Sequence, residues 1–270
     1  MDKFVQLAAD IVKLWTKYGD SYIVGMRNTL VLALAATAIG CLIGFICGVL
    51  NTIPYSKNDP LPKRFILKLI RVIVRVYVEV FRGTPMVLQA VFMYYGLPYF
   101  TNNAMKFTNI WVAALVVVSI NTGAYMAETV RGGIESVDPG QKEAAIAIGM
   151  DHFQIMYNVI LPQALRNVMP QLGNNLIINI KDTSVLNVIS VTELYFASKS
   201  AAGVYYKYFE IFFLTCVIYF IMTFTASRLL RWVESKMDGP KDYQLVNYDP
   251  MADPCGHVPL PTKKQKGRFD

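Results

Sequence analysis

The stretch KEAAIAIGMDHFQIMYNVILP, from Lys142 to Pro162, is the least apolar long segment in the middle of an otherwise apolar chain. It begins with helix-forming residues, breaks at Gly149 and closes on Pro162. Asp138-Pro139 just upstream is a helix-start signal, a capping acid followed by proline at the first helical position. A short helix carrying Glu143, Ala144 and Ala145 is expected to follow and to end at Gly149. A second short helical piece, DHFQIMYNVILP, should lead to Pro162 and back into the apolar phase. The pattern predicts a rigid helix–turn–helix between two apolar segments, shaped to be held by another molecule.

The flanking sequence sets the class. Of 270 residues, 54% are hydrophobic, and several stretches approach the roughly 20 apolar residues that cross a bilayer. The apolar runs are continuous rather than alternating, which excludes a β-barrel and predicts an all-α membrane protein. No secretory leader is expected at the N-terminus. Five spans are expected, at about 28–50, 70–97, 109–131, 166–188 and 208–231. Residues 1–20 place apolar side chains on one side and Lys3, Asp10, Lys13 and Lys17 on the other, which predicts an amphipathic interfacial helix. Residues 21–234 form the transmembrane domain, with 132–165 as its main loop, and 235–270 read as a mobile tail.

The net charge of +7 reads as an orientation signal, not as a nucleic-acid footprint. With the 132–165 loop in the cytoplasm, the cytoplasmic segments hold 15 Lys and Arg against 7 on the other side. That bias predicts an N-terminus outside and a C-terminus inside. Cys41 and Cys47 read as small buried hydrophobes rather than ligands. Ala36, Gly40, Gly44 and Gly48 recur every fourth residue, which bares one face of span one for close packing. In the long second apolar region, Phe81–Pro85 (FRGTP) joins Gly83 to Pro85, a place for the helix to bend or break. Arg82 is read as structural there, pairing with Glu79 or capping the bend.

Several stretches together resemble one family. EAA at Glu143–Ala145, Gly149 and VILP ending at Pro162 look like the EAA loop of membrane subunits of binding-protein-dependent ABC importers, with Val159 where that family has isoleucine. FRGTPMVLQAVFMYYGLP (81–98), GAYMAETVRGGIESVDPGQKEAA (123–145) and NNLIINIKDTSVL (174–186) are similar to the histidine/glutamine-type polar amino acid permeases. The resemblance covers about 20–233. It implies a type I ABC importer transmembrane fold and an ATPase-coupling role for Glu143, Ala144, Ala145, Gly149 and Pro162. It also implies three partners: a separate ABC ATPase, a second permease subunit and an extracytoplasmic amino acid-binding protein. The chain carries no G-x-x-x-x-G-K-[ST], so ATP and magnesium are expected on the partner ATPase and no cofactor or metal on this chain.

Polar residues within spans are candidates for contact with solute. Span three carries Asn121, Tyr125 and Glu128 on one helical face, and span four carries Asn175, Asn179 and Asp182 at the same spacing. Glu128 or Asp182 would receive an ammonium; Gln89, Lys181 or the Asn side chains would serve a carboxylate. Two readings stay open for these stripes, a solute cavity or polar clamps between helices. A self-sufficient carrier and a non-transporting scaffold remain the rival classes.

Overall fold

The computed structural model describes residues 2–53 and 60–237. Most of the expected tail, and residues 54–59 of the proline-rich turn after span one, lie outside the described residues. Everything described is helical or connecting, with no strand. The elements are α1 (Asp2–Thr52), α2 (Leu61–Gly83), α3 (Met86–Val91), α4 (Leu97–Phe100), α5 (Ile110–Glu135), α6 (Pro139–Ala147), α7 (His152–Ile155), α8 (Leu161–Asp182), α9 (Leu194–Tyr205) and α10 (Tyr208–Met237).

α1 is undivided, where two separate elements are expected from the sequence. The amphipathic segment expected as a separate interfacial helix is continuous with span one, in a single helix of 51 residues. Nothing in residues 18–28 breaks the backbone, since Gly19 and Gly25 are tolerated inside a helix that packing supports. At about 1.5 Å per residue the helix is some 75 Å long, more than twice the hydrocarbon core. Its first turns find their own partners: Leu14 is buried against Ala201, Ala202 and Ile211 of α9 and α10.

The densest contact in the fold is α1 on α5, and the small-residue face explains it. A Cβ added at Gly40 would fall 2.6 Å from Thr122 Cβ, and one at Gly48 2.6 Å from Val130 Cβ. Gly44 sits against Met126 in the same way. The register advances four residues on each helix together, so α1 and α5 run parallel. Parallel packing is what first and third spans must do if the chain crosses back between them.

Among the described residues, three helices are long and apolar enough to cross a membrane: Val5–Thr52, Ile110–Glu135 and Tyr208–Lys236. The other two expected spans are the polar ones. The second is broken between α2 and α3, as the sequence predicts. The fourth differs from the expected 166–188: α8 starts at Leu161, runs through Pro170, ends at Asp182 and tightens into a 3-10 segment over Thr183–Ile189. Two π turns, Phe92–Gly96 and Met156–Ile160, each end two residues before a proline, Pro98 and Pro162. A proline has no N–H for the carbonyl four residues back and its ring pushes that carbonyl aside, so the preceding turn widens. The second π turn also joins α7 to α8, so the second helical piece of the loop runs directly into the span.

Candidate functional site

The loop forms as its local chemistry dictates. The Asp138 carboxylate accepts from Gly140 N at 2.6 Å, and Pro139 opens α6. Gly149 takes φ +84° and closes the helix, with Gly149 N bonded to Ile146 O and Met150 N to Ala145 O. That pair of bonds is a Schellman closure, and the left-handed residue at its centre favours glycine. Asp151 then opens α7 with a capping box, accepting from Gln154 N while Gln154 Oε1 accepts from Asp151 N. Ala145 is the buried residue of α6. It packs with Ile155, Ile160, Ala164 and Val168 onto Val130 and Ile134 of α5, so the knob is fixed to two spans. Glu143, Ala144 and Pro162 are exposed. Ile146, Ile148 (77% exposed), Phe153 and Tyr157 stand out as an apolar apex, with the Phe153 and Tyr157 rings stacked. Four large apolar side chains on one short knob make a surface that a partner would cover.

The break between α2 and α3 is repaired by side chains. Pro85 has no N–H to give Phe81 O, its helical acceptor. Gln89 Nε2 donates instead, at 2.9 Å to Phe81 O and 2.9 Å to Thr84 O. Asn121 Nδ2 donates to Phe81 O at 3.2 Å and to Gln89 Oε1 at 3.0 Å, tying the break to α5. Thr84 Oγ1 donates to Val80 O. Gly83 is exposed, with open space where a Cβ would point. Gln89 and Asn121 are therefore engaged in holding a backbone break.

The span-four stripe turns inward. Asn179 Nδ2 donates to Thr37 Oγ1 at 2.7 Å and to Thr122 Oγ1 at 3.0 Å, one amide clamping α8 to α1 and α5. Asn175 Nδ2 lies 3.1 Å from both Met126 Sδ and Gln171 O. Both asparagines are buried, and Asp182 is half-buried at the end of α8.

Tyr125 and Glu128 are placed differently. Tyr125 is exposed, and the Arg82 guanidinium lies 5.6 Å from its ring centroid. The expected pairing of Arg82 with Glu79 does not form among the described residues, because Arg82 turns across to α5. Glu128 is half-exposed and bridged by Arg131, which also reaches Glu135. Arg82, Tyr125, Glu128 and Arg131 thus bring a cation, a ring and an anion–cation pair to one uncovered side of α5.

One residue that the sequence did not single out organises the opposite end. Glu193 is fully buried and caps α9, accepting from Tyr195 N at 2.8 Å and Phe196 N at 2.7 Å. Tyr219 Oη of α10 donates to it at 2.9 Å, and Thr29 Oγ1 of α1 stands at 3.5 Å. Burial pushes its carboxyl up from the usual carboxylate range, while those donors pull the other way. Glutamate is not a preferred N-cap, and its Tyr219 and Thr29 partners are 26 and 164 residues away, so the sequence does not mark it.

This is the geometry against which known proteins compare. Residues 40–239 match the family model described as a binding-protein-dependent transport system inner membrane component. The chain belongs to that family. The permease is 36% identical to the glutamine transport system permease protein GlnP of Escherichia coli, over 79% of this chain and 91% of that one. It is 33% identical to the arginine transport system permease protein ArtQ of Bacillus subtilis, over 79% and 90%. A solved structure described as an amino acid ABC transporter with histidines aligns at 36% identity and a TM-score of 0.71, covering 82% of the permease and 96% of that chain. An inward-facing MetNI methionine ABC transporter aligns at 20% identity and a TM-score of 0.60, a likeness of fold. The expected type I importer architecture is the one found.

Proposed function

We propose that this permease subunit works in an ATP-driven importer of a polar amino acid, with solute passing the Arg82–Tyr125–Glu128 side of α5 and energy entering through residues 138–162. The observation that carries the reading is the loop: a knob rigidly fixed to α5 and α8 whose outer surface is apolar and uncovered. A separate ATPase seats on Glu143, Ala144, Ile146, Ile148 and Phe153. A second permease subunit, identical or related, faces the open side of α5. A binding protein delivers solute from outside, the loop faces the cytoplasm of a prokaryotic cell, and the N-terminus lies outside.

Within the pathway, Glu128 is suited to an ammonium and Arg82 to a carboxylate, with Tyr125 between them. Gln89, Asn121, Asn175 and Asn179 keep the helices in register around that face. Closure of the ATPase dimer on ATP and magnesium draws the two loops together. Because Ala145, Ile155 and Ile160 fix the loop to the spans, its displacement tilts α5 and α8 and alternates access. The relatives' glutamine and arginine names support a polar amino acid as the solute class.

Co-purification with the ATPase tests the reading. Ala144 is exposed, so Ala144→Glu should leave the fold intact while charging the docking surface. ATPase captured by wild type and lost with Ala144→Glu and Gly149→Asp is the expected result. Equal capture by all three proteins overturns the assignment of the loop.

A further inference from the structure

At the end of α1 remote from the coupling loop, a pocket of about 370 Å³ opens between the first turns of α1 and the α9–α10 junction. Asp10, Lys13, Leu14, Lys17, Tyr205 and Lys207 line it. Lys13 and Lys17 lie four apart on one face of α1, and Lys207 closes the pocket from the other side. The single carboxylate is already committed, with Asp10 Oδ2 2.6 Å from Lys207 Nζ. Lys17 Nζ is held 4.9 Å above the Tyr205 ring, and no acidic partner meets Lys13 or Lys17 among the described residues. The pocket therefore offers two ammonium groups in excess, positioned by an ion pair and a ring.

The level of the pocket tells what kind of anion meets it. Lys207 directly precedes α10, whose long apolar helix begins at Tyr208. Tyr206, Tyr208 and Phe209 are all exposed there, the aromatic signature of the headgroup band. Val12 and Trp15 are exposed on the same turns of α1 as the lysines, and Val204 is exposed next to Tyr205 in the chain. A fully hydrated anion gains nothing from such neighbours, whereas an anionic head with an acyl tail is matched at both ends. We propose that Lys13 and Lys17, beside the Asp10–Lys207 ion pair, seat the phosphate of an anionic phospholipid on the membrane face opposite the coupling loop, with Tyr205 as the floor of the site. The lipid would fasten the N-terminal turns of α1 to α9 and α10, the junction organised by Glu193.

The full chain in phosphatidylcholine nanodiscs containing a minor fraction of phosphatidylglycerol, examined by native mass spectrometry, tests this. Retained phosphatidylglycerol enriched over phosphatidylcholine, and falling roughly fivefold for each of Lys13→Gln and Lys17→Gln, is the expected result. Both lysines are exposed, so unchanged melting in neutral lipid would confirm that the variants fold. No enrichment, or enrichment unchanged in the double variant, overturns the proposal. Displacement of the lipid by millimolar inorganic phosphate alone would mark a free-phosphate site instead. Unchanged lipid retention with weakened capture of the binding protein would make the lysines a protein contact.

Discussion

Replacing Gly44 with alanine adds one methyl group at the tightest helix contact. The new Cβ would stand 2.8 Å from Ala127 N and closer still to Met126 Cβ, whereas carbon contacts settle at about 3.5–4.0 Å. The atoms it would meet are backbone or the root of a side chain, so no rotamer change relieves the clash. The helices must part by about 1 Å at this turn, and the contacts of Gly40 with Thr122 and Gly48 with Val130 loosen with it. Overpacking of this kind costs about 1–3 kcal/mol. For a chain of this size that corresponds to a fall of roughly 3–10 °C in the unfolding midpoint. The assay is thermal unfolding in one detergent at one scan rate, because membrane-protein melting is commonly rate-dependent. Gly132→Ala is the matched control, since a Cβ at Gly132 of α5 meets nothing within 4 Å. A Gly44→Ala protein that melts with wild type and the control would refute the close parallel packing of α1 on α5.

Three other perturbations probe separate parts of the account. Gln89→Ala strips a donor from Phe81 O and Thr84 O at the helix break, which should cost about 1–3 kcal/mol of stability by thermal melting, while Arg82→Ala leaves melting unchanged. Glu193→Ala orphans the buried N–H groups of Tyr195 and Phe196 and the Tyr219 hydroxyl; a loss of about 2 kcal/mol is expected, with Glu193→Gln intermediate because one acceptor oxygen remains. Gly149→Ala forces a left-handed residue without glycine's freedom at a cost of about 1 kcal/mol. Amide exchange over residues 139–150 should quicken roughly fivefold, with the spans unaffected.

What could be read from sequence was local. Asp138, Pro139 and Gly149 act through their own backbone, so the start and end of α6 were legible. Pro85 likewise fixed the break after α2. The four-residue spacing of glycines foretold a close helix contact, though not that α5 is the partner. Charge, not a backbone breaker, separates the two halves of α1, and a helix responds to breakers, so its continuity is not legible in the charge pattern. The polar stripes were visible, but which way they face depends on tertiary neighbours. Pro85 leaves Phe81 O needing a donor, a signal that points to Gln89 at the break; nothing similar announces that Asn179 meets Thr37, 142 residues away. Glu193 depends on partners 164 and 26 residues distant, so it emerges only from the fold.

The most direct measurement is amino acid uptake by proteoliposomes holding the permease, its ATPase and the binding protein, with radiolabelled glutamine and arginine as probes. If import is driven through the loop, uptake requires ATP and all three components and is abolished by Ala144→Glu together with ATPase binding. Uptake at full rate by the permease without the ATPase, or undiminished uptake by Ala144→Glu, would contradict it.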